Sequence, residues 1–136
     1  MSEIEVMRFR VRYGETDRMG TYYYARALEW FEAARTEWTR AKGLTYAEME
    51  RRGVMLPVVV SHVEHKRRAD YDDLLSARCS ASMPGRARVR FDVTVSDVNT
   101  GLIVAEGYTV HALMDSSGRA LKPPLWFVEF IRDSAG

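Results

Sequence analysis

The sequence is poor in cysteine and has no long apolar stretch. Cys79 is the single cysteine among 136 residues, so no internal disulfide can form and the chain fits a reducing compartment. No apolar run approaches the roughly 18 residues that cross a bilayer. The N-terminus, MSEIEVMRFR, also lacks the apolar segment of a secretory signal. We therefore expect a soluble, cytoplasmic protein that does not insert into a membrane.

The chain also lacks an excess of charge of either sign. It has 20 basic and 19 acidic side chains, which gives a net charge of +1 at pH 7. Proteins that bind the phosphate backbone of nucleic acids usually carry a clear basic excess. A nucleic-acid partner is therefore not expected, although a local basic cluster would suffice for one small anion.

Several motifs that carry chemistry in other proteins are missing. Neither GxSxG nor a glycine-rich strand-to-helix motif for nucleotide phosphates is present. Cys79 lies within a predicted strand, and we do not expect an activated thiol there. His62 and His65 lie three residues apart on another strand and so point to opposite faces, and His111 belongs to a third strand. We expect no metal site, so any chemistry must come from carboxylates, backbone amides and a loop.

Hydrophobic periodicity predicts a strand followed by two helices. Residues 6–13 alternate between apolar and basic side chains, as in a half-buried strand. From 23 to 42 the apolar residues recur every three or four positions, which predicts an amphipathic helix of about five turns that Gly43 ends. The expected core face is Ala27, Leu28, Phe31, Ala34, Trp38 and Ala41. Thr45 and Glu48 have the spacing of a capping box, which predicts a second helix to about Arg52.

Four further strands are predicted, at residues 57–68, 74–83, 86–98 and 102–114. Short turns at 83–86 and 99–101 join the last three into an antiparallel meander. A closing segment at 125–132 fits either a short helix or an edge strand. This order predicts one α+β domain over residues 1–136. Since an antiparallel sheet needs one face covered, the sheet should wrap around the long helix, which is the hotdog arrangement.

One loop combines the groups that chemistry would need. Asp17 lies in residues 15–20, just before the long helix, where free amides and the positive end of the helix dipole attract negative charge. A carboxylate beside such donors suits hydrolysis of a thioester, because it offers a base or nucleophile and a site for the oxyanion. The alternative is that Asp17 is a cap or turn residue, the commoner role of an aspartate near a helix start.

The segments around this loop resemble a known family. Residues 17–24, DRMGTYYY, followed by 28–35, LEWFEAAR, are similar to the signature of the 4-hydroxybenzoyl-CoA thioesterase-like family. In that family an aspartate, two variable residues and a glycine precede an aromatic segment and a helix with a Phe-Glu-x-Ala-Arg pattern. Residues 63–74 and 118–124 fit the same family, so the resemblance covers almost the whole chain.

The resemblance implies a hotdog fold whose subunits pair edge to edge, as a dimer or tetramer, with active sites at the interface. It implies hydrolysis of an acyl-CoA, with Asp17 as general base or nucleophile and the backbone amide near Tyr24 polarising the carbonyl. No cofactor is implied beyond the coenzyme A of the substrate. Many relatives have His at position 24 and Asn and Tyr where this chain has Arg26 and Ala27, so these two residues are expected to alter the pocket wall and the acyl group stays open.

Further residues are candidates for substrate binding. Gly20 is retained from the family pattern, and Tyr22 and Tyr23, like Tyr24, either line an acyl pocket or pack the helix start. The candidates for the phosphates of coenzyme A are Arg86, Arg88 and Lys122. The alternative for these cations is a solvated strand face. Asp72 and Asp73 match paired acids of the family, and we expect them to shape a turn.

Two other functions compete with hydrolysis. A hotdog hydratase or dehydratase would need a catalytic histidine paired with an acid, and no histidine is expected near the start of the long helix. A non-catalytic acyl-CoA-binding module would use the same groove without turnover.

Overall fold

The computed structural model describes residues 3–135, and within that range it contains five strands, three α-helices and a 3-10 turn at Tyr13–Glu15. The strands are β1 (Ile4–Arg10), β2 (Val58–His65), β3 (Leu74–Ser82), β4 (Arg88–Asp97) and β5 (Ile103–Ala112). The helices are α1 (Arg26–Ala41), α2 (Tyr46–Arg51) and α3 (Leu125–Ala135). The predicted strands and the first two helices are confirmed, with bounds that differ by a few residues.

The strands form one antiparallel sheet in the order β1-β3-β4-β5-β2. The predicted meander of β3, β4 and β5 occupies its centre. The turn between β4 and β5 contains Gly101, whose φ of +74° suits glycine, and the Asp97 side chain accepts hydrogen bonds from two amides of the turn. Consequently β1 and β2 are the two edges of the sheet.

Helix α1 packs against β3 and β4 on the inner face of the sheet. The Trp38 ring meets Phe91 of β4 edge-on, with 6.0 Å between centroids. Small buried side chains on β3, Ala77 and Ala81, leave room for the helix. The predicted core face was wrong for two residues, which are exposed (Leu28, 41%, and Ala41), and it omitted three that are buried (Trp30, Arg35 and Thr39). Leu28 lies about 100° around the helix from buried Ala27, and Ala41 ends the helix.

The closing segment, for which a short helix and an edge strand were both possible, is a helix. Phe127 and Ile131 of α3 are buried, and the Phe130 ring lies 6.0 Å from that of Trp38. Helix α3 therefore lies beside α1 and completes the cover of the sheet. In residues 3–135, no helix is both long and apolar enough to cross a membrane.

Strand β2 is an edge strand whose side chains are largely exposed. Its three valines, Val58, Val59 and Val60, are 47%, 45% and 40% exposed, and Val63 is its most covered residue. The other edge strand, β1, is one residue shorter and carries three charged residues, Glu5, Arg8 and Arg10, whereas β2 carries a single carboxylate, Glu64. Each edge strand has one irregularity in its register. The longer and less charged open edge is that of β2.

Candidate active site

The loop between β1 and α1 is held by its own backbone and by the segment before β3. The Asp17 amide donates to the Thr21 carbonyl at 2.8 Å, and the Tyr22 amide donates to the Ala69 carbonyl at 2.8 Å. The Thr21 hydroxyl and the Ala69 backbone are also hydrogen-bonded to each other. These contacts attach the loop to a segment about 50 residues away in sequence.

Asp17 has one engaged oxygen and one open oxygen. Its Oδ1 accepts a hydrogen bond from the Met19 amide at 2.8 Å, which orients the carboxylate. Among the described residues, nothing donates to Oδ2, and the side chain is partly buried. The carboxylate is therefore fixed in direction while one of its oxygens stays available.

Gly20 supports this geometry. Its φ is +84°, and an added Cβ would lie 3.2 Å from Nη2 of Arg68. That nitrogen donates to the Met19 carbonyl at 3.1 Å, so the guanidinium braces the loop where glycine leaves space for it. A side chain at position 20 would strain the backbone and press on this brace.

Helix α1 begins at Arg26, three residues later than predicted, and its start is uncapped by any side chain. The Arg26 and Ala27 amides donate to the carbonyls of Tyr23 and Tyr24 at 2.9 and 3.2 Å. Within residues 3–135, the amides of Tyr24 and Ala25 meet no acceptor. Two donors at the positive end of a sixteen-residue helix are thus open.

The three consecutive tyrosines occupy different environments. Tyr22 is buried with its ring 4.8 Å from that of Trp30, and its hydroxyl reaches Nδ1 of His65 at 2.5 Å. Burial raises the pKa of the Tyr22 hydroxyl to about 12. Tyr23 and Tyr24 are exposed by 45% and 64%, and their rings lie 4.8 Å apart. The Tyr24 ring also faces His65 edge-on at 6.3 Å.

The loop, the start of α1 and the end of β2 border a cleft of about 380 Å³, which we call the Asp17 cleft. Its wall contains Asp17, Tyr22, Tyr24 and His65, and its rim carries the basic run 66–68. Tyr23 does not line it. Arg26 and Ala27, expected to alter the pocket wall, are elsewhere: Arg26 pairs with Glu29 at 2.9 Å and Ala27 is buried.

His65 corrects one prediction. No histidine was expected near the start of the long helix, yet His65 ends β2 at that place and contacts Tyr22. The alternation of the strand separates it from His62, which stacks on Tyr108 of the outer face at 5.2 Å. Sequence reasoning missed His65 because the contact depends on tertiary pairing, whereas the basic run 66–68 was visible in the sequence.

Two buried titratable side chains, Glu15 and Cys79, lie outside the Asp17 cleft. Glu15 is buried and accepts hydrogen bonds from the Arg12 amide at 2.8 Å and from Nε1 of Trp30 at 3.1 Å. Its carboxylate therefore anchors the loop and is not available to a ligand. Cys79 is also buried, and burial raises the pKa of its thiol, which opposes a role as nucleophile.

The candidate phosphate-binding cations lie at the opposite end of the sheet. Arg86 and Lys122 line a second cleft of about 630 Å³ together with Arg132, and Arg88 is exposed at the start of β4. We call this the Arg86 cleft. It adjoins the end of the sheet where β2 begins, whereas the Asp17 cleft lies where β2 ends. A strand of eight residues separates these ends by about 26 Å, so one chain does not bring the two sets together.

Comparison with known proteins places this architecture among enzymes that act on thioesters. A family model described as the thioesterase-like superfamily matches residues 11–131. A Bacillus subtilis protein provisionally named acyl-CoA thioesterase YneP is 41% identical over 63 residues, which are 46% of each chain, so the match spans less than half of that relative. The 1,4-dihydroxy-2-naphthoyl-CoA hydrolase of Synechococcus elongatus is 28% identical over 115 residues, 83% of each chain.

A solved structure is similar over nearly the whole chain. The crystal structure of a variant 4-hydroxybenzoyl-CoA thioesterase in complex with 4-hydroxybenzoyl-CoA superposes with a TM-score of 0.83. The two sequences are 22% identical, and the superposition covers 95% of this chain and 98% of that one. At this identity the likeness concerns the fold, and it confirms the predicted α+β hotdog arrangement.

Proposed function

The chain belongs to the thioesterase-like superfamily, and from this premise we propose that it hydrolyses an acyl-CoA thioester to the free acid and coenzyme A. The observation that carries the proposal is the Asp17 cleft, which is lined both by an oriented carboxylate with one open oxygen and by Tyr24, whose backbone amide at the start of α1 is unpaired among the described residues. Acyl transfer needs this combination of a base or nucleophile and oxyanion donors.

In the proposed reaction, the thioester carbonyl lies between Oδ2 of Asp17 and the amides of Tyr24 and Ala25. Either Asp17 takes a proton from water, whose oxygen then bonds to the carbonyl carbon, or Oδ2 itself bonds to that carbon. Both routes move the carbonyl electron pair onto oxygen, where the amides stabilise it. When the carbonyl reforms, the carbon–sulfur bond breaks and coenzyme A leaves as thiolate. The second route leaves an anhydride that water hydrolyses.

We propose that the open edge of β2 pairs with β2 of a second subunit, in a dimer or a tetramer built from such dimers. A row of unpaired backbone groups beside exposed valines favours pairing with another chain. Two-fold pairing of identical edges is antiparallel, so the His65 end of one strand meets the Val58 end of the other. The site would then lie at the interface, because His65 lines the Asp17 cleft.

The proposed β2–β2 pairing suggests a function for the cations at the far end of the sheet, Arg86, Arg88 and Lys122. It brings the Asp17 cleft of one subunit toward the Arg86 cleft of its partner, across a gap that one chain alone does not close. We propose that Arg86, Arg88 and Lys122 bind phosphates of the coenzyme A whose acyl group lies beside the partner's Asp17. Guanidinium groups match phosphate geometry, and Arg86 and Lys122 already converge on one cleft.

We propose that Tyr22 and Tyr24 contact the acyl end of the substrate, since both line the Asp17 cleft, and that Gly20 keeps the loop in shape. Tyr23 lies just outside the cleft beside Tyr24, where it would contact only a longer acyl group.

A hydratase or dehydratase is a second candidate, because the structure brings His65 and Asp17 into one cleft. Family membership favours hydrolysis over this alternative. The two activities differ in products: hydrolysis releases a free thiol, whereas hydration of a 2-enoyl-CoA keeps the thioester. A binding module would retain acyl-CoA and release nothing.

Replacing Asp17 with Asn tests the proposal. The variant keeps the size of the side chain and the acceptor for the Met19 amide, but it removes basicity and nucleophilicity. We expect kcat for thiol release, measured on the best substrate of an acyl-CoA panel, to fall by a factor on the order of 10² or more.

Asp72→Asn is the matched control, because Asp72 lies in the turn before β3 at a φ of 72° that Asn tolerates. It should retain activity, and both variants should bind product coenzyme A. Near-normal turnover in Asp17→Asn would remove Asp17 from the mechanism. Absence of thiol release from every acyl-CoA by the unaltered protein would refute hydrolysis itself.

A further inference from the structure

The hydrogen bond between Tyr22 and His65 has a defined direction. The Tyr22 hydroxyl is buried and keeps its proton at neutral pH, because burial raises its pKa to about 12. A buried hydroxyl proton needs an acceptor, and Nδ1 of His65, 2.5 Å away, supplies one. A ring nitrogen that accepts carries no hydrogen, so the network assigns the proton of the neutral imidazole to Nε2.

Nε2 of His65 is therefore a donor, and it is free to bind a ligand. Within residues 3–135, this nitrogen contacts no hydrogen-bond acceptor. The side chain is exposed and lines the Asp17 cleft. Its ring lies between those of Tyr22 and Tyr24, at 5.7 and 6.3 Å. The imidazole thus borders the residue whose backbone amide is one of the open donors at α1.

We propose that His65 is a further catalytic residue, whose Nε2–H donates a hydrogen bond to the thioester oxygen, and that Tyr22 is the residue that positions it. This inference rests on the proposed thioester hydrolysis. As the new bond forms at the carbonyl carbon, negative charge collects on the oxygen, and His65 stabilises it together with the amides at α1. The histidine gives up no proton, and the departing thiolate takes its proton from solvent.

The hydrogen bond from the Tyr22 hydroxyl to Nδ1 holds the His65 ring, and therefore its Nε2–H donor, in place before the reaction begins. Without it the imidazole could exchange its proton between the two nitrogens and rotate, and the donor would have to be ordered during the reaction. Donors held in place before charge develops stabilise a transition state more than donors that must reorient. Their removal therefore lowers kcat more than it raises KM.

Two substitutions of His65 distinguish the acceptor role of Nδ1 from the donor role of Nε2. His65→Asn places an amide near Nδ1, where its oxygen accepts from Tyr22, but it has no atom at the place of Nε2. His65→Gln reaches the place of Nε2 and supplies an N–H donor there. We expect kcat for thiol release to fall by about tenfold to a hundredfold in the Asn variant, with KM within about twofold, and to recover largely in the Gln variant.

Two further variants complete the test. Tyr22→Phe should lower kcat by a smaller factor than His65→Asn, because it frees the ring without removing Nε2. His62→Asn, on the other face of the same strand, should behave as the unaltered protein. Thermal unfolding midpoints and binding of coenzyme A report whether each variant is folded.

Two results would overturn the role of His65: normal kcat in His65→Asn, or equal losses of kcat in the Asn and Gln variants. A normal kcat with a raised KM would make His65 a contact of the ground state only. In each case an active unaltered protein leaves the proposed hydrolysis standing. An unaltered protein that hydrolyses no acyl-CoA overturns both proposals at once.

Discussion

His111 is an imidazole enclosed in the core near the start of β2. It is fully buried, with Nδ1 3.0 Å from the Leu56 carbonyl and Nε2 2.9 Å from the Thr109 hydroxyl. The carbonyl can only accept, so Nδ1 donates to it. Burial lowers the pKa of His111 to about 4.

This burial predicts a loss of stability on mild acidification. Between pH 6.5 and 4 the unfolded chain binds a proton at His111 that the folded chain does not, so the free energy of unfolding falls as pH falls. The expected loss between pH 7.5 and 5 is about 2 kcal/mol. Denaturant unfolding at several pH values should show a smaller loss for His111→Gln, which does not titrate. The exposed histidine variant His62→Gln is the control and should keep the loss; an equal loss in His111→Gln would contradict the prediction.

Some residues of the site could be predicted from the sequence and others could not. Asp17 and Gly20 could be singled out because the motif lies within four consecutive positions, and their roles stay predictions. His65 could not, because its meaning depends on a hydrogen bond to Tyr22, 43 residues earlier. Leu28 was misplaced for a different reason: apolar character alone does not fix the angle of a helical face.

Strand β2 depends on one glycine of β5 for its close approach. A Cβ added to Gly107 would lie 1.9 Å from the His62 carbonyl oxygen, which no real side chain tolerates. Gly107 pairs with Val63, so a side chain there would push the end of β2 away from the sheet. That end carries His65.

We therefore expect Gly107→Ala to lower the free energy of unfolding by about 2 kcal/mol or more, because overpacking forces a backbone shift. The same variant should lower thiol release through displacement of His65. Gly85→Ala is the control, since an added Cβ there meets nothing within 4 Å. Thermal unfolding measures the loss of stability. An unchanged midpoint for Gly107→Ala would contradict the prediction and mean that β2 accommodates the added methyl group without cost.

At the scale of elements, periodicity predicted most of the fold. Alternation located the central strands because each buries one face, as with Val89, Phe91, Val93 and Val95 of β4. The closing segment stayed ambiguous because eight mostly apolar residues, 125–132, suit a short helix or an edge strand equally well. Its packing beside Trp38 in three dimensions decides the matter.

For the whole molecule, the separation of the two clefts predicts complementation between subunits. A mixed dimer of one Asp17→Asn chain and one Arg86→Ala, Arg88→Ala chain holds a single complete site if the arginines act on the partner's substrate. We expect such a dimer to show about half the unaltered kcat at an unaltered KM. The doubly substituted homodimer should show a raised KM for acyl-CoA but not for an acyl-pantetheine thiol ester without nucleotide phosphates.

Differently tagged chains, co-expressed and purified through both tags, provide the mixed dimer, and sedimentation verifies its mass. A KM that stays as high as in the doubly substituted homodimer would mean that the arginines serve their own chain. A stable monomer at micromolar concentration would contradict the shared site altogether. The position of the arginines at the far end of the sheet could not be predicted from sequence, since strand order alone does not locate a loop relative to a subunit interface.

The order of the strands in the sheet also affects folding during synthesis on the ribosome. Strand β2 pairs with β5 and not with its successor β3, so about 40 residues must follow it before its partner exists. During synthesis the valine-rich segment therefore leaves the ribosome early and waits unpaired, a stage at which exposed strands are prone to aggregation. The surface proposed to join two subunits is among the last to be fixed, so chains can associate correctly only when translation has passed residue 112.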